Sequence, residues 1–167
     1  MPDHHYGNSK RPSNRPGGPP VERRSPPGGE RREREHDEPT IDTTRIVFTT
    51  PLDADLFNGI AKQVAETIAK NWSANKPSQI RKFYDELCLW ETKTNLEPTR
   101  FSDYLPFILM LNAKAAYAKG RRLVDANFVR LIEDCLKQVK DPERLHRCKL
   151  FFEAFLGFYK ELRPSDK

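Results

Sequence analysis

Across residues 53–162, apolar side chains recur every three or four positions, which is the period of an amphipathic α-helix. In the first segment with this spacing, the apolar stripe consists of Leu56, Ile60, Val64 and Ile68. The same spacing puts Trp72 next in line. No second segment alternates apolar and polar residues in the way a strand partner would. The pattern therefore predicts an all-α fold.

Five such segments follow one another with short connections, which indicates a five-helix bundle. Their predicted ranges are 53–72, 78–94, 99 or 102 to 119, 125–139 and 141–162. Three polar residues are placed as N-caps, namely Ser78, Asp125 and Asp141, the last followed by proline. Gly120 is predicted to end the third helix in a left-handed conformation. Pro106 should kink that helix unless it falls in the first turn.

Residues 1–39 have a different composition. They hold eight of the 14 prolines and five of the eight glycines, together with eight arginines and lysines. Only Met1, Tyr6 and Val21 are apolar. Such a segment cannot bury enough apolar surface to offset the entropy lost on ordering it. The sequence predicts a disordered Pro/Gly/Arg-rich tail.

A short segment between the tail and the first helix is rich in β-branched and aromatic residues, with the sequence TTRIVFTT at 43–50. It could form a strand, but no partner strand is visible. We therefore predict an extended lead-in over residues 40–51, in which Ile46 and Phe48 pack on the domain. The helical domain is assigned to residues 52–163.

The sequence contains no catalytic or metal-binding pattern that we can recognise. Three of the four histidines lie in the tail, and His146 has no zinc-type spacing to Cys, Asp or Glu. There is no nucleophile elbow and no phosphate-binding glycine loop. The three cysteines, Cys88, Cys135 and Cys148, occur among apolar residues and are expected to be reduced core thiols. We predict a protein that is not an enzyme and uses no cofactor or metal.

The net charge of +5 belongs mainly to the helical domain, which makes an acidic partner such as nucleic acid plausible. No signal peptide and no apolar run long enough for a membrane span are visible. These features predict a cytoplasmic protein with no membrane contact.

One basic cluster lies at the start of the second predicted helix. It consists of Lys76, Ser78, Gln79, Arg81 and Lys82. Cations are locally unfavourable beside the positive end of a helix dipole, whereas a phosphate would be favoured there. The cluster is therefore a candidate phosphate site. The alternative is that these bases are incidental and screened by Asp85 and Glu86.

A second basic cluster surrounds the end of the third predicted helix. It consists of Lys114, Lys119, Arg121 and Arg122. Cations are favourable at this end of a helix, so the cluster has a simple structural explanation. Tyr117 lies three residues after Lys114 and shares its face. An aromatic ring among cations is compatible with contacts to RNA.

Both clusters fall within segments that resemble the small subunit of type III-A CRISPR–Csm effector complexes. The similar segments are KPSQIRKFYDEL at 76–87, LNAKAAYAKGR at 111–121 and DPERLHRCKLFFEAFLGFYK at 141–160. They occur in the family's order. The tail has no counterpart in the family.

The resemblance implies a non-catalytic helical subunit whose copies stack along the complex beside the backbone and large subunits. It also implies contact with guide RNA paired to target RNA, for antiviral defence. Arg81, Lys82, Lys114 and Arg121 are then the expected contacts to the nucleic-acid backbone. Their neighbours Lys76, Gln79 and Arg122 are further candidates, whereas Glu153 and Ala154 would serve packing or subunit contacts.

Two other hypotheses remain open from the sequence. The first is a generic helical protein-interaction module without a nucleic-acid role, in which Phe151 and Phe158 face a partner. The second is a helix-turn-helix DNA regulator, which is disfavoured because none of the five helices has a mainly basic outer face.

Overall fold

The computed structural model describes residues 38–164, and over that range the chain is all-helical with no strand. The helices are α1 (Ala61–Ala69), α2 (Pro77–Leu96), α3 (Phe101–Leu109), α4 (Leu111–Gly120), α5 (Ala126–Leu136) and α6 (Pro142–Leu162). A π-helical turn (Leu56–Ile60) precedes α1, and a 3-10 turn (Pro98–Arg100) precedes α3. The predicted all-α class is confirmed. The predicted disordered tail lies outside the described residues, apart from Glu38 and Pro39.

The central element is α6, which packs against both α1 and α2, while α4 packs on α5. Of the six residues whose spacing predicts its apolar stripe, Leu156 is half-buried and five are buried, namely Leu145, Cys148, Phe152, Phe155 and Tyr159. Phe151 is also fully buried, and its ring lies 6.1 Å from that of Phe48. Phe158 is half-buried against the same core. Phe151 is therefore not free to face a partner, as the interaction-module hypothesis required.

The first predicted helix ends earlier than its apolar spacing indicated. The four residues of its stripe are buried, but α1 stops at Ala69, and Trp72 is 68% exposed. The Asn71 side chain accepts hydrogen bonds from the backbone N–H groups of Ser73 and Ala74, at 3.2 and 3.3 Å. An asparagine that bonds the following backbone favours a turn over continued helix. The guanidinium of Arg163 lies 4.2 Å from the centre of the Trp72 ring.

The lead-in segment packs as predicted, since Ile46 and Phe48 are buried. Its backbone is paired with side chains of α6 and of the turn after α5 instead of with a second strand. Gln138 accepts from the Phe48 N–H at 2.9 Å and donates to the Ile46 carbonyl at 2.7 Å. Arg147 of α6 donates to the Phe48 carbonyl at 2.7 Å. Through these bonds, backbone N–H and carbonyl groups of a strand-like segment find partners without a sheet.

The third predicted helix is split in two at Met110, so residues 38–164 contain six α-helices where five were predicted. Pro106 falls in the sixth position of α3, beyond the first turn. There it lacks the N–H that would bond the preceding turn, and its ring crowds a carbonyl of that turn. The interruption one turn later is consistent with the kink expected from this proline.

Two of the three predicted caps are confirmed. Asp125 accepts from the Phe128 N–H at 3.0 Å, and Asp141 accepts from the Arg144 N–H at 2.8 Å. The prediction for Ser78 was wrong, because α2 begins at Pro77 and its N-cap, Lys76, makes no side-chain capping bond. Proline is favoured at the first helical position, since the N–H it lacks would have no partner there.

Candidate nucleic-acid interface

A groove of about 500 Å³ runs between α2 and α4. Its polar lining comes from both predicted basic clusters, together with Glu86, and consists of Gln79, Lys82, Glu86, Lys114 and Arg121. Its apolar lining consists of Phe83, Met110, Ala113, Tyr117, Ala118 and Leu123. The tertiary structure thus joins two clusters that are far apart in the sequence.

A backbone hydrogen bond holds one end of the groove together. The N–H of Asn75 donates to the carbonyl of Leu123 at 3.0 Å. Asn75 directly precedes Lys76, and Leu123 directly follows Arg122. These two exposed cations therefore lie at the same end of the groove, although neither lines it.

The charges in the groove are unequal. Lys114 forms an ion pair with Glu86, which links α4 to α2. Lys82 and Arg121 make no ion pair with any of the residues 38–164. The lining therefore has three cations and one carboxylate, and two of the cations remain available to an anion. Such an arrangement suits phosphate groups.

Tyr117 stands at the rim of the groove with 67% of its surface exposed. The guanidinium of Arg121 lies 5.7 Å from the centre of its ring, within the range of a cation–π contact. The predicted shared face of Tyr117 and Lys114 is confirmed, because both line the groove. The rim thus offers an aromatic surface beside available cations.

The end of α4 differs from the prediction. Gly120 belongs to the helix, and the left-handed residue is Arg122, with φ of 58°. The Leu123 N–H bonds the Ala118 carbonyl at 2.9 Å, and the Arg122 N–H bonds the Lys119 carbonyl at 2.8 Å. This pair of bonds is a Schellman motif, in which glycine is the usual left-handed residue. An arginine stands there instead.

The corrected start of α2 also changes the argument for the first cluster. Arg81 and Lys82 occupy the fifth and sixth helical positions, outside the first turn whose N–H groups would be open to a phosphate. The two cations therefore lie beyond the first turn, in which the sequence had placed them. Lys82 lines the groove through its place on the side of α2 that faces α4.

Arg81 is on another side of α2. Because an α-helix turns by about 100° per residue, Arg81 lies about 200° around the helix axis from Gln79 and about 100° from Lys82. It does not line the groove, and it donates to Asp85 at 2.7 Å, as the screening alternative anticipated. Its guanidinium also lies 5.3 Å from the Tyr84 ring centre. Burial, with a hydrogen bond to Cys88, raises the pKa of Tyr84 to about 12.

Sequence reasoning missed most of the apolar lining. Phe83 lies one turn from Gln79, and Ala113 lies one turn from Tyr117, so helical spacing alone could have added both. Met110 and Leu123 follow no such rule, because each sits where a helix stops and depends on how α4 is placed.

No group of three or more histidine, cysteine or acidic residues within residues 38–164 could hold a metal ion. Cys135 and Cys148 are buried and Cys88 is half-buried, and all three are free thiols, as predicted. Burial, together with a hydrogen bond to Cys148, raises the pKa of the Cys135 thiol.

Within residues 38–164, no helix has the length and apolarity needed to cross a bilayer.

The family model described as Csm2 Type III-A matches residues 52–165, a range that contains the whole groove. No curated protein and no solved structure matches the chain significantly.

Proposed function

Because the chain belongs to the Csm2 family, the small subunits of type III-A CRISPR effector complexes, we propose that its α2–α4 groove contacts RNA. The RNA would be the guide strand paired with its target. The observation that carries this proposal is the pair of available cations, Lys82 and Arg121, on facing walls of the groove.

The contacts are directed at the sugar–phosphate backbone. Lysine and arginine neutralise phosphates regardless of the base sequence, and base pairing between guide and target already reads that sequence. Lys114 contributes by offsetting the negative charge of Glu86, with which it is paired. Lys76 and Arg122 extend the positive surface beyond one end of the groove.

Protein contacts are the second part of the proposal, with copies of this subunit and the backbone and large subunits as partners. An aromatic surface supports it. The rings of Trp90 and Phe107 stack at 5.6 Å with an interplanar angle of 14°, and Phe107 is half exposed. Met110 lies three residues after Phe107, is exposed like it and lines the groove, so this surface would adjoin the RNA site. A copy stacked on it would extend the groove, and several linked copies would raise the overall affinity.

In this proposal the subunit is non-catalytic and cytoplasmic, and it serves antiviral defence by positioning RNA for the chemistry of other subunits. The rival is a helical protein-interaction module with no RNA role, which the exposed Phe107 surface would also suit. Mixing the full-length chain with guide–target duplex at two salt concentrations separates the two. Affinity that falls steeply with salt supports the proposal, and an absence of binding both alone and in the assembled complex refutes it.

The protein-contact surface is tested independently. Phe107→Glu should reduce self-association of the full-length chain in analytical ultracentrifugation, because a buried charge would replace an aromatic contact. Asp103→Glu, on the same helix, keeps the surface charge and serves as the control. Unchanged self-association of the Phe107 variant would exclude this surface as the contact between copies.

A further inference from the structure

The composition of the groove does not match a phosphate backbone alone. Phosphate is strongly hydrated and gains nothing from an apolar wall, whereas a nucleobase or ribose does. In this groove Phe83 and Ala118 are buried, and Ala113 and Leu123 continue the apolar wall. The cations stand among them in the same lining.

The size of the groove supports the same conclusion. A volume of about 500 Å³ falls in the range typical of pockets for small organic ligands. A bound phosphate would fill only a small part of it. A base together with its sugar would occupy the space and cover the apolar wall.

Two groups are suited to recognise a base. The Gln79 side chain, which carries both a donor and an acceptor, makes no hydrogen bond within the described part of the chain. The largely exposed Tyr117 ring offers a surface for stacking.

We propose that the groove takes a single unstacked RNA nucleotide, with its base against the apolar wall and its phosphate at Lys82 and Arg121. This inference rests on the proposed RNA-binding function and names the part of the RNA that enters. A fully paired duplex keeps its bases stacked inside, so it cannot fill the groove. The two available cations favour this polyanionic ligand over a peptide.

A filling variant tests the inference without changing the charge. Ala113→Phe places a ring in the groove, whereas Ala116→Phe adds the same ring to an exposed position of α4 that does not line it. The ligands are a single-stranded oligoribonucleotide carrying 2-aminopurine and the fully paired duplex of that strand. Fluorescence titration of the full-length chain gives both affinities.

We expect Ala113→Phe to weaken single-strand binding about tenfold, the loss of one stacked base, and to leave duplex binding unchanged. Ala116→Phe should match the unmodified chain on both ligands. Equal single-strand affinity of the two variants would overturn the inference. A loss of incorporation into the assembled complex by Ala113→Phe, with RNA affinity intact, would overturn it in favour of a protein ligand.

The charge variants Lys82→Ala and Arg121→Ala separate this inference from the proposed function. If they weaken binding of both ligands while Ala113→Phe has no effect, the phosphate contacts stand and the base site does not. If none of the three variants changes RNA binding, both proposals fail.

Discussion

The side-chain oxygen of Asn75 accepts a hydrogen bond from the backbone N–H of Asp125, with 2.9 Å between the two atoms. The same side chain donates to the Ile68 carbonyl at 3.1 Å. Its backbone carbonyl accepts from the Tyr159 hydroxyl. One buried asparagine therefore joins α1, the loop before α5, and α6, and it lies two residues before the start of α2. The placement of α4 beside α2, and so the groove, depends on it.

Asn75→Ala should destabilise the chain by about 2–4 kcal/mol, because two backbone groups lose their partners and alanine is disfavoured at a φ of 55°. Asn75→Gly loses the same hydrogen bonds but tolerates that φ, and it should retain about 1 kcal/mol more stability than the alanine variant. Urea unfolding measures both. Equal stabilities for the two variants would show that the backbone conformation contributes nothing.

Gly120→Ala should stabilise the chain by about 1 kcal/mol, because Gly120 is helical and exposed and alanine is the better helix former. A Cβ at this position meets no atom within 4 Å. If Gly120 were left-handed, as the sequence had indicated, the substitution would destabilise instead. The sign of the change in melting temperature therefore distinguishes the two conformations.

Arg122→Gly should also stabilise the chain, by about 1 kcal/mol, since glycine relieves the strain of a left-handed residue. The same change should weaken RNA binding if Arg122 extends the positive surface of the groove. Thermal unfolding and RNA titration of one variant give both quantities. Arg122→Lys is the control, because it keeps the charge and the strain. Unchanged stability of the glycine variant would contradict the assigned strain.

Lys82→Ala and Arg121→Ala should each lower RNA affinity and reduce the slope of log affinity against log salt by about 0.7–0.9, the loss of one phosphate contact. Arg81→Ala removes the same charge from the neighbouring position. The family resemblance predicts an RNA contact at Arg81, but this residue is paired with Asp85 outside the groove. We therefore expect the smaller effect there. A larger effect for Arg81 would move the RNA site to the other side of α2.

The Thr43 hydroxyl donates to the Asp134 carboxylate at 2.7 Å. Burial acts to raise the pKa of Asp134, but hydrogen bonds from Thr43 and Lys137 and the charges of Lys137 and Arg130 hold it below its ordinary value of 3.8. A lowered pKa stabilises the fold above the ordinary value, and that stability is lost as the pH falls through the folded-state pKa.

Thr43→Val should therefore destabilise the chain at neutral pH by about 1 kcal/mol, and the difference from the unmodified chain should shrink below pH 3.8. Thr43→Ser, which keeps the hydroxyl, is the control. Urea unfolding across this pH range measures the difference. A gap that stays constant with pH would show that the hydroxyl does not act through the carboxylate.

Most features that the sequence predicted correctly depend on neighbours along the chain. The apolar period of residues 53–162 and the caps at Asp125 and Asp141 involve residues three or four positions apart. Capping bonds form within one helix end, and the apolar period follows from the geometry of a single helix, so both can be predicted without knowing what packs against it. The predictions for Trp72 and Gly120 were wrong because competing local turns, at Asn71 and at Arg122, end the helices elsewhere.

The sequence by itself determined the helical class and the residue types of two basic clusters. Only the tertiary structure decided that Lys82 and Arg121 face one groove while Arg81, next to Lys82, does not. The spacing along a helix sets which side chains share a face, but it cannot say which helix will cover that face. That choice depends on packing and on long-range bonds such as those of Asn75, between residues far apart in the chain.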